Sequence, residues 1–377
     1  MTAGDWAGGV ALVLATSTGG VGQHVASLVR GLTAAGITVT VCGPDATERL
    51  FHFSELGARF VAVEIPANPA PSDARAVSAL RTALAAPDVD VVHAHGLRAG
   101  FVATLARPRQ PLVVTWHNAM LAGGLRGRVA QLLERAVAAA ARITLGASED
   151  LVERARAVGA RDARLGPVAA PSLGPARRTR AAVRAEFGVG PETPVILSVG
   201  RLHPQKRYDI LVAAAGRWRE RRPTPVVLIA GTGPSYLPLA ASISAAHAPV
   251  TLLGHRTDVA DLLAGADLAV VTSDWEARQL FAQEALQAGL PLVATAVGGL
   301  PGLVGDAAVL VPAGDVDAVD AAVRRLLDDP ELRADLSTRA RTHAAAWPTE
   351  ADTVAAVRAV YAELVPEPAR GDREDHG

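Results

Sequence analysis

Ser198-Val199-Gly200-Arg201-Leu202-His203-Pro204-Gln205-Lys206-Arg207-Tyr208-Asp209 decides how this chain is read. The apolar segment Val195–Val199 leads into it and has the unbroken, β-rich character of a strand buried on both faces. The strand ends at Gly200. Arg201 and Lys206 then stand five positions apart on a Pro-containing loop at its carboxyl end. Such a pair can clamp a diphosphate, the guanidinium by a bidentate contact and the ammonium as a compact charge. The alternative is a pair of exposed surface cations. Composition weighs against it, because 36 of the 37 basic residues are arginine and Lys206 is the single lysine. A lysine dropped at random on those positions would land here about once in 37 trials.

The same alternation of apolar strand, turn and helix runs through the whole chain. Val10–Ala15, Thr38–Val41, Phe60–Val63, Val89–His93, Leu112–Thr115, Ile143–Leu145 and Ala163–Val168 read as a first set of strands. Val195–Val199, Val226–Ala230, Val250–Leu253, Leu268–Val271, Pro291–Ala294 and Ala308–Val311 read as a second. Helical patterns such as Val25–Ala35, Leu97–Ala106, Ile210–Glu220 and Phe281–Ala288 separate them. This rhythm belongs to parallel sheets with crossover helices. It predicts an α/β protein with two doubly wound, Rossmann-like domains facing a central crevice. The domains are expected at 1–170 and 186–345, joined by a Pro- and Arg-rich linker at 171–185. Residues 346–365 are expected as a helix that returns to the first domain, and 366–377 as a polar, flexible tail. Ligands of open α/β sheets bind at the carboxyl ends of the strands.

Composition closes off other classes. Half the residues are hydrophobic and the formal net charge is -1, so the chain carries ample core material. One cysteine, Cys42, excludes a disulfide framework and a cysteine-rich metal site. The first residues lack a basic leader, and no later run reaches about 18 apolar residues, so a cytoplasmic protein is expected. Charge is uneven. Residues 1–185 hold 20 Arg against 13 acidic residues, and the remainder 17 basic against 25 acidic. The excess of +7 reads either as a solvated arginine-rich face or as a surface for an anionic acceptor or an anionic membrane leaflet. No aromatic-rich basic stripe supports a nucleic-acid partner.

Further motifs fall at the same strand ends. Ser17-Thr18-Gly19-Gly20-Val21-Gly22-Gln23-His24 joins the first strand to the first helix, where glycines and free N–H groups can receive an anion. A dinucleotide fingerprint would want glycine at Val25, which disfavours a nicotinamide oxidoreductase. Glu276-Ala277-Arg278-Gln279-Leu280-Phe281-Ala282-Gln283-Glu284 places one glutamate in a loop after a strand and the other in the next helix. Carboxylates there can accept hydrogen bonds from vicinal sugar hydroxyls. Gly231-Thr232-Gly233-Pro234 and Gly254-His255-Arg256 are turns at the same edge. His93 and His95 end one strand and His117 ends the next, which makes His117 a site candidate.

Taken together these motifs resemble a retaining glycosyltransferase of the GT-B fold, family 4. The resemblance covers nearly the whole chain and rests on GGVGQHV, SVGRLHPQKRYDIL, AGTGP, the Glu276–Glu284 segment and the run EALQAGLPLVATAVGGLPGLV. It implies that Arg201 and Lys206 hold a donor diphosphate beside Gly200, that Glu284 binds the donor ribose, and that Glu276 contacts the transferred sugar. It places Gly20 and Gly233 near the donor, His117 beside the reacting sugar, and Arg256 near the base. It counts Arg278, Gln279 and Leu280 among the donor-binding residues. Ala277-Arg278-Gln279 stands where the family often has Gly-Phe-Gly, and because Arg278 and Gln279 lie beside the sugar's hydroxyls the sugar's identity is left open. The resemblance implies no cofactor beyond a nucleotide diphosphate sugar, UDP- or GDP-linked, and no metal. The acceptor is unidentified: a glycan, a lipid-linked group or a small molecule. The alternatives are an epimerase-like nucleotide-sugar enzyme and a catalytically silent binding protein.

Overall fold

The computed structural model describes residues 6–17, 19–68, 70–119, 124–166, 168–169 and 174–365. Thr18 of the first glycine loop, Pro171 at the head of the linker and the 366–377 tail lie outside the described residues. The chain forms two compact units. The first gathers 1–147, 151–168 and 348–377, and the second 148–150 and 169–347.

The first unit is built on seven parallel strands: β1 Gly9–Leu14, β2 Thr38–Gly43, β3 Arg59–Ala62, β4 Val91–His95, β5 Leu112–Trp116, β6 Ile143–Gly146 and β7 Ala163–Leu165. Their order is β3-β2-β1-β4-β5-β6-β7. Strand β1, Gly-Val-Ala-Leu-Val-Leu, is buried at every position, as a parallel strand covered by helices on both faces must be. Helix Gly20–Ala34 packs on this sheet through Val25, Leu28, Val29 and Leu32. The last helix, Glu350–Leu364, joins the same core with Val354, Val357, Val360 and Tyr361. A capping box between Thr349 and Asp352 starts it directly after Pro348.

The second unit has six parallel strands: β8 Val195–Val199, β9 Val226–Ala230, β10 Val250–Gly254, β11 Leu268–Val271, β12 Leu292–Thr295 and β13 Ala308–Val311. Their order is β10-β9-β8-β11-β12-β13. Alternate residues serve opposite cores. Val195, Leu197, Ala269 and Val271 face one side, while Ile196, Leu268 and Val270 face the other. In each sheet the chain reverses its direction of winding once, between β1 and β4 and between β8 and β11. At such a switch point the flanking loops part and leave room for a ligand. Among the described residues no helix is long and apolar enough to cross a membrane.

Several helices appear that the sequence pattern did not announce. Tyr236–Ala246 carries Pro238 in its first turn, where a missing N–H costs little. Glu149–Ala157 is mostly polar and buries only Leu151, Val152 and Ala155.

Helix Gly20–Ala34 meets the last helix at Gly31, where an added Cβ would lie 2.4 Å from Val354 Cγ2. Gly→Ala in an open helix stabilises by about 1 kcal/mol. Here Gly31→Ala is expected to destabilise by about 1–3 kcal/mol through overpacking. Thermal unfolding checks this, and adding Val354→Ala should restore part of the loss.

Candidate functional site

The second unit's site grows from the loops that follow β8 and β11, on either side of its switch point. Gly200 closes β8; a side chain there would crowd Tyr208 Oη at 2.9 Å. Arg201 comes next, exposed, and its guanidinium has no hydrogen-bond or ion-pair partner among the described residues. Leu202 N donates to Thr232 O at 2.9 Å and Ser235 N to Leu202 O at 2.9 Å, tying this loop to the turn after β9. A Cβ on Gly231 would meet Gly200 O at 1.9 Å, and one on Gly233 would meet Leu202 O at 2.3 Å. Only glycine allows that approach.

Pro204–Lys206 forms one 3-10 turn, capped by His203. The loop after β11 is stitched to it. Thr272 Oγ1 donates to Lys206 O and Arg207 O at 3.0 and 2.9 Å. Asp274 N donates to Gln205 O at 2.8 Å, and Gln205 Nε2 donates to Trp275 O at 2.6 Å. This stitching delivers Lys206 Nζ to 2.5 Å from Glu276 Oε1. Ser273 Oγ donates to the same oxygen at 2.6 Å. Glu276 is buried and the Lys206 side chain is 18% exposed. Both contacts fall on Oε1, so Oε2 has no hydrogen-bond partner among the described residues.

Glu284 lies on the second turn of helix Leu280–Gln287. Burial pushes its carboxyl up to about 7. Leu280 opens that helix, and Gln279 occupies the N-cap position without a side-chain capping bond; its buried side-chain oxygen has no partner among the described residues. Arg278 turns towards Trp347, with its guanidinium 5.6 Å from the ring, and Nε donates to Gln283 Oε1 at 3.2 Å. Burial lowers its pKa to about 10. Arg256 follows β10 and is committed elsewhere. It donates to Asp258 at 2.8 and 2.6 Å and to Glu186 at 2.8 Å, and lies 5.9 Å from the Phe187 ring centre. Arg201, Lys206, Glu276, Gly200 and Gly233 thus gather at one strand edge, while Arg256 contacts its own carboxylates. Ser273 escaped the sequence reading, and its only signal there is a hydroxyl three residues before Glu276.

The first unit places four histidines on its sheet's carboxyl edge and the adjoining helix. Gly20 is the first residue of helix Gly20–Ala34, and Gly22 N donates to Ser17 Oγ at 3.1 Å. Gly22 is a packing glycine, since a Cβ there would meet the Phe51 ring at 2.1 Å. His24 lies on the helix's second turn, and its ring centre is 5.5 Å from that of His95 and 5.3 Å from that of His117. His95 Nδ1 and His117 Nε2 are 3.3 Å apart. His93 is held by Tyr361 Oη and Thr115 Oγ1, each at 2.7 Å. The fold therefore adds His24 to the histidines that the strand ends suggested. His24, His95 and His117 offer nitrogens within 4.8 Å of one another, a set able to hold a metal ion. Burial drives the pKa of His24 down to about 4 and that of His93 to about 3, and holds His95 and His117 well below the ordinary value. All four rings are neutral near neutral pH.

Residues 179–343 match the family model described as glycosyl transferases group 1, and residues 19–171 match that of a glycosyl transferase 4-like domain. The D-inositol 3-phosphate glycosyltransferase of Salinispora arenicola is 34% identical over 316 residues, covering 74% of this chain and 70% of that protein. Its namesake from Geodermatophilus obscurus is 37% identical over 309 residues, covering 73% and 67%. Among solved structures, Anabaena Alr3699/HepE in complex with UDP superposes with a TM-score of 0.77 at 19% identity, over 94% of this chain and all of that one. Sucrose-phosphate synthase of Thermosynechococcus elongatus gives a TM-score of 0.79 at 20% identity, over 95% and 99%. These likenesses show the GT-B fold.

The buried imidazoles give stability a definite pH dependence. Their folded pKa values lie below the ordinary 6.5. Below that pH the unfolded chain takes up protons that the folded chain refuses. Stability is therefore full above 6.5 and falls as pH drops towards the folded values near 4 and 3. Glu284 works in the opposite sense, because its raised pKa makes the folded state bind a proton first between about 7 and 4.5. Four imidazoles outweigh one carboxyl. The urea midpoint is expected to fall between about pH 7 and about pH 5, and His24→Leu to flatten that slope.

Proposed function

The chain belongs to the glycosyl transferases group 1, a GT-B enzyme of family 4, and from that premise we propose that it transfers a hexosyl-type sugar from a nucleotide diphosphate sugar with retention of configuration. The observation that carries this reading is the Lys206–Glu276 pair at the β8/β11 switch point, with Arg201 on the same loop as Lys206 and its guanidinium without a partner among the described residues. Arg201 and Lys206 take the donor's diphosphate, UDP- or GDP-linked, and stabilise the charge that grows as it leaves. Glu276 keeps Oε2 for the sugar's hydroxyls, and Glu284 serves the ribose. Gln279 and Leu280 border the sugar, with Arg278 behind them setting the loop's shape. Gly20 and nearby amides approach phosphate or acceptor, and His117 stands beside the reacting sugar. Arg256 acts near the base only if the donor displaces Glu186 or Asp258, because its guanidinium is already paired.

In the transfer, the bond from the anomeric carbon to the diphosphate oxygen breaks. The acceptor oxygen bonds to the same face of that carbon, and its proton passes to the departing phosphate oxygen. No protein nucleophile is needed, and positioning with exclusion of water supplies the rate. The two cations provide the electrostatics that a divalent metal would otherwise bring. The acceptor is anionic in this reading, which the +7 excess of residues 1–185 supports. The names of the two relatives make an inositol phosphate the first to test.

Two outcomes test the proposal. UDP or GDP should raise the thermal midpoint, with about 2.7 kcal/mol of stabilisation at a hundredfold excess over Kd. In assays of nucleotide release, Lys206→Ala should lower kcat by on the order of 100-fold. Lys206→Arg should also be impaired, because a planar fork does not reproduce a compact ammonium. Unchanged turnover in Lys206→Ala would overturn the clamp.

A further inference from the structure

We infer that His95 is a positioning residue that fixes His117 as its Nδ1–H tautomer, so that the open edge of His117 is a hydrogen-bond donor. The geometry begins in the register of β4 against β5. His93 pairs with Val113 and His95 with Thr115 along the two strands. Each histidine then reaches the side chain two residues beyond its backbone partner, the second of them just past the end of β5. His93 reaches Thr115 Oγ1 at 2.7 Å, and His95 reaches His117 Nε2 at 3.3 Å. The His95–His117 contact is the next rung of one diagonal ladder, held in place by backbone pairing. His93 is braced from behind by Tyr361 Oη at 2.7 Å, and its ring centre is 4.2 Å from that of His95.

Both rings of the rung are buried, at 2% and 7% exposure. Burial keeps both neutral, so each carries one N–H and one lone pair. A contact between His95 Nδ1 and His117 Nε2 needs one proton between two nitrogens. If His117 donates, His95 must carry its own proton on Nε2. That atom is buried without a hydrogen-bond partner among the described residues. A buried N–H left without an acceptor is the rarer kind of unsatisfied group. If His95 donates, its Nε2 is a bare lone pair and the unpartnered N–H falls instead on His117 Nδ1, which is not among the fully enclosed, unpartnered atoms of the described residues. The second arrangement is favoured, and it forces the His117 proton onto Nδ1. His117 Nδ1 has no hydrogen-bond partner among the described residues, so its N–H is available to a ligand.

The consequence rests on the proposed reading of His117 as the group beside the reacting sugar. An Nδ1–H donates to a hydroxyl or to a negatively charged oxygen and cannot take a proton. His117 therefore orients the substrate, which leaves the departing phosphate as the base.

Nitrogen-15 correlation spectra of histidine-labelled full-length protein at neutral pH read the tautomer directly. Wild type is expected to show His117 protonated on Nδ1. In His95→Phe, which keeps an aromatic ring and removes the donor, His117 should revert to the Nε2–H form preferred by free neutral imidazole. His95→Asn, whose amide N–H can stand in for Nδ1–H, should keep Nδ1–H on His117. A wild-type Nε2–H signal, or the same tautomer in wild type and His95→Phe, overturns the inference whether or not a donor has been found. In transfer assays, kcat/KM should fall about tenfold in His95→Phe, the worth of one hydrogen bond, and recover in His95→Asn. A switched tautomer with unchanged kcat/KM would confirm the positioning and overturn the placement of His117 beside the sugar.

Discussion

An ammonium drawn largely out of water needs a carboxylate, and Lys206 has Glu276. Breaking a fully buried pair of this kind costs about 3–5 kcal/mol, because the survivor is left charged and unpartnered. The surrounding loops are arranged to keep the pair together. Thr272 holds the carbonyls of Lys206 and Arg207, Gln205 bridges to the backbone at Asp274 and Trp275, and Gly299 N donates to Glu276 O. Gly298 is required beside that last bond, since a Cβ there would lie 2.1 Å from Glu276 O. The structure thus shows a cation and a carboxylate neutralising each other in the unit proposed to bind a diphosphate and a sugar. In the proposed cycle the diphosphate takes over Lys206 and the sugar's hydroxyls take over Glu276, so each charge is passed to a ligand and neither is stranded.

Both units obey the same topological rule and fill it with opposite chemistry. The β8/β11 edge carries formal charges held by hydrogen bonds. The β1/β4/β5 edge carries four neutral imidazoles held by burial and by one another. Charge on one edge suits an ionic leaving group. Uncharged polar rings on the other suit hydroxyls, which need direction more than charge.

Much of the fold was legible because buried parallel strands are continuous apolar runs. Val195–Val199, Val226–Ala230, Leu268–Val271 and Ala308–Val311 are read from pattern alone with the bounds they have in the structure. Helix Tyr236–Ala246 was hidden by Pro238, because a proline in a first turn looks like a breaker. In the site, the lone lysine and the two glutamates stood out by composition and spacing. What converged through tertiary structure did not. His95 and His117 could be marked at the ends of successive strands, but nothing in the pattern joined His24 to them, and it is the seating of helix Gly20–Ala34 that completes three nitrogens within 4.8 Å of one another. Ser273 reads as an ordinary loop hydroxyl until its bond to Glu276 is seen. The Glu186 carboxylate that pairs with Arg256 was equally invisible, because it lies 70 residues away, although Asp258 stands only two residues on.

In the proposed cycle everything turns on a donor diphosphate displacing Glu276 from Lys206. A crystal structure of the protein with a bound nucleotide diphosphate sugar tests it most directly. Diphosphate oxygens are expected within hydrogen-bond distance of Lys206 Nζ and Arg201, with Glu276 turned to the sugar's hydroxyls. A bound donor with the Lys206–Glu276 contact still closed and the diphosphate held elsewhere would contradict it.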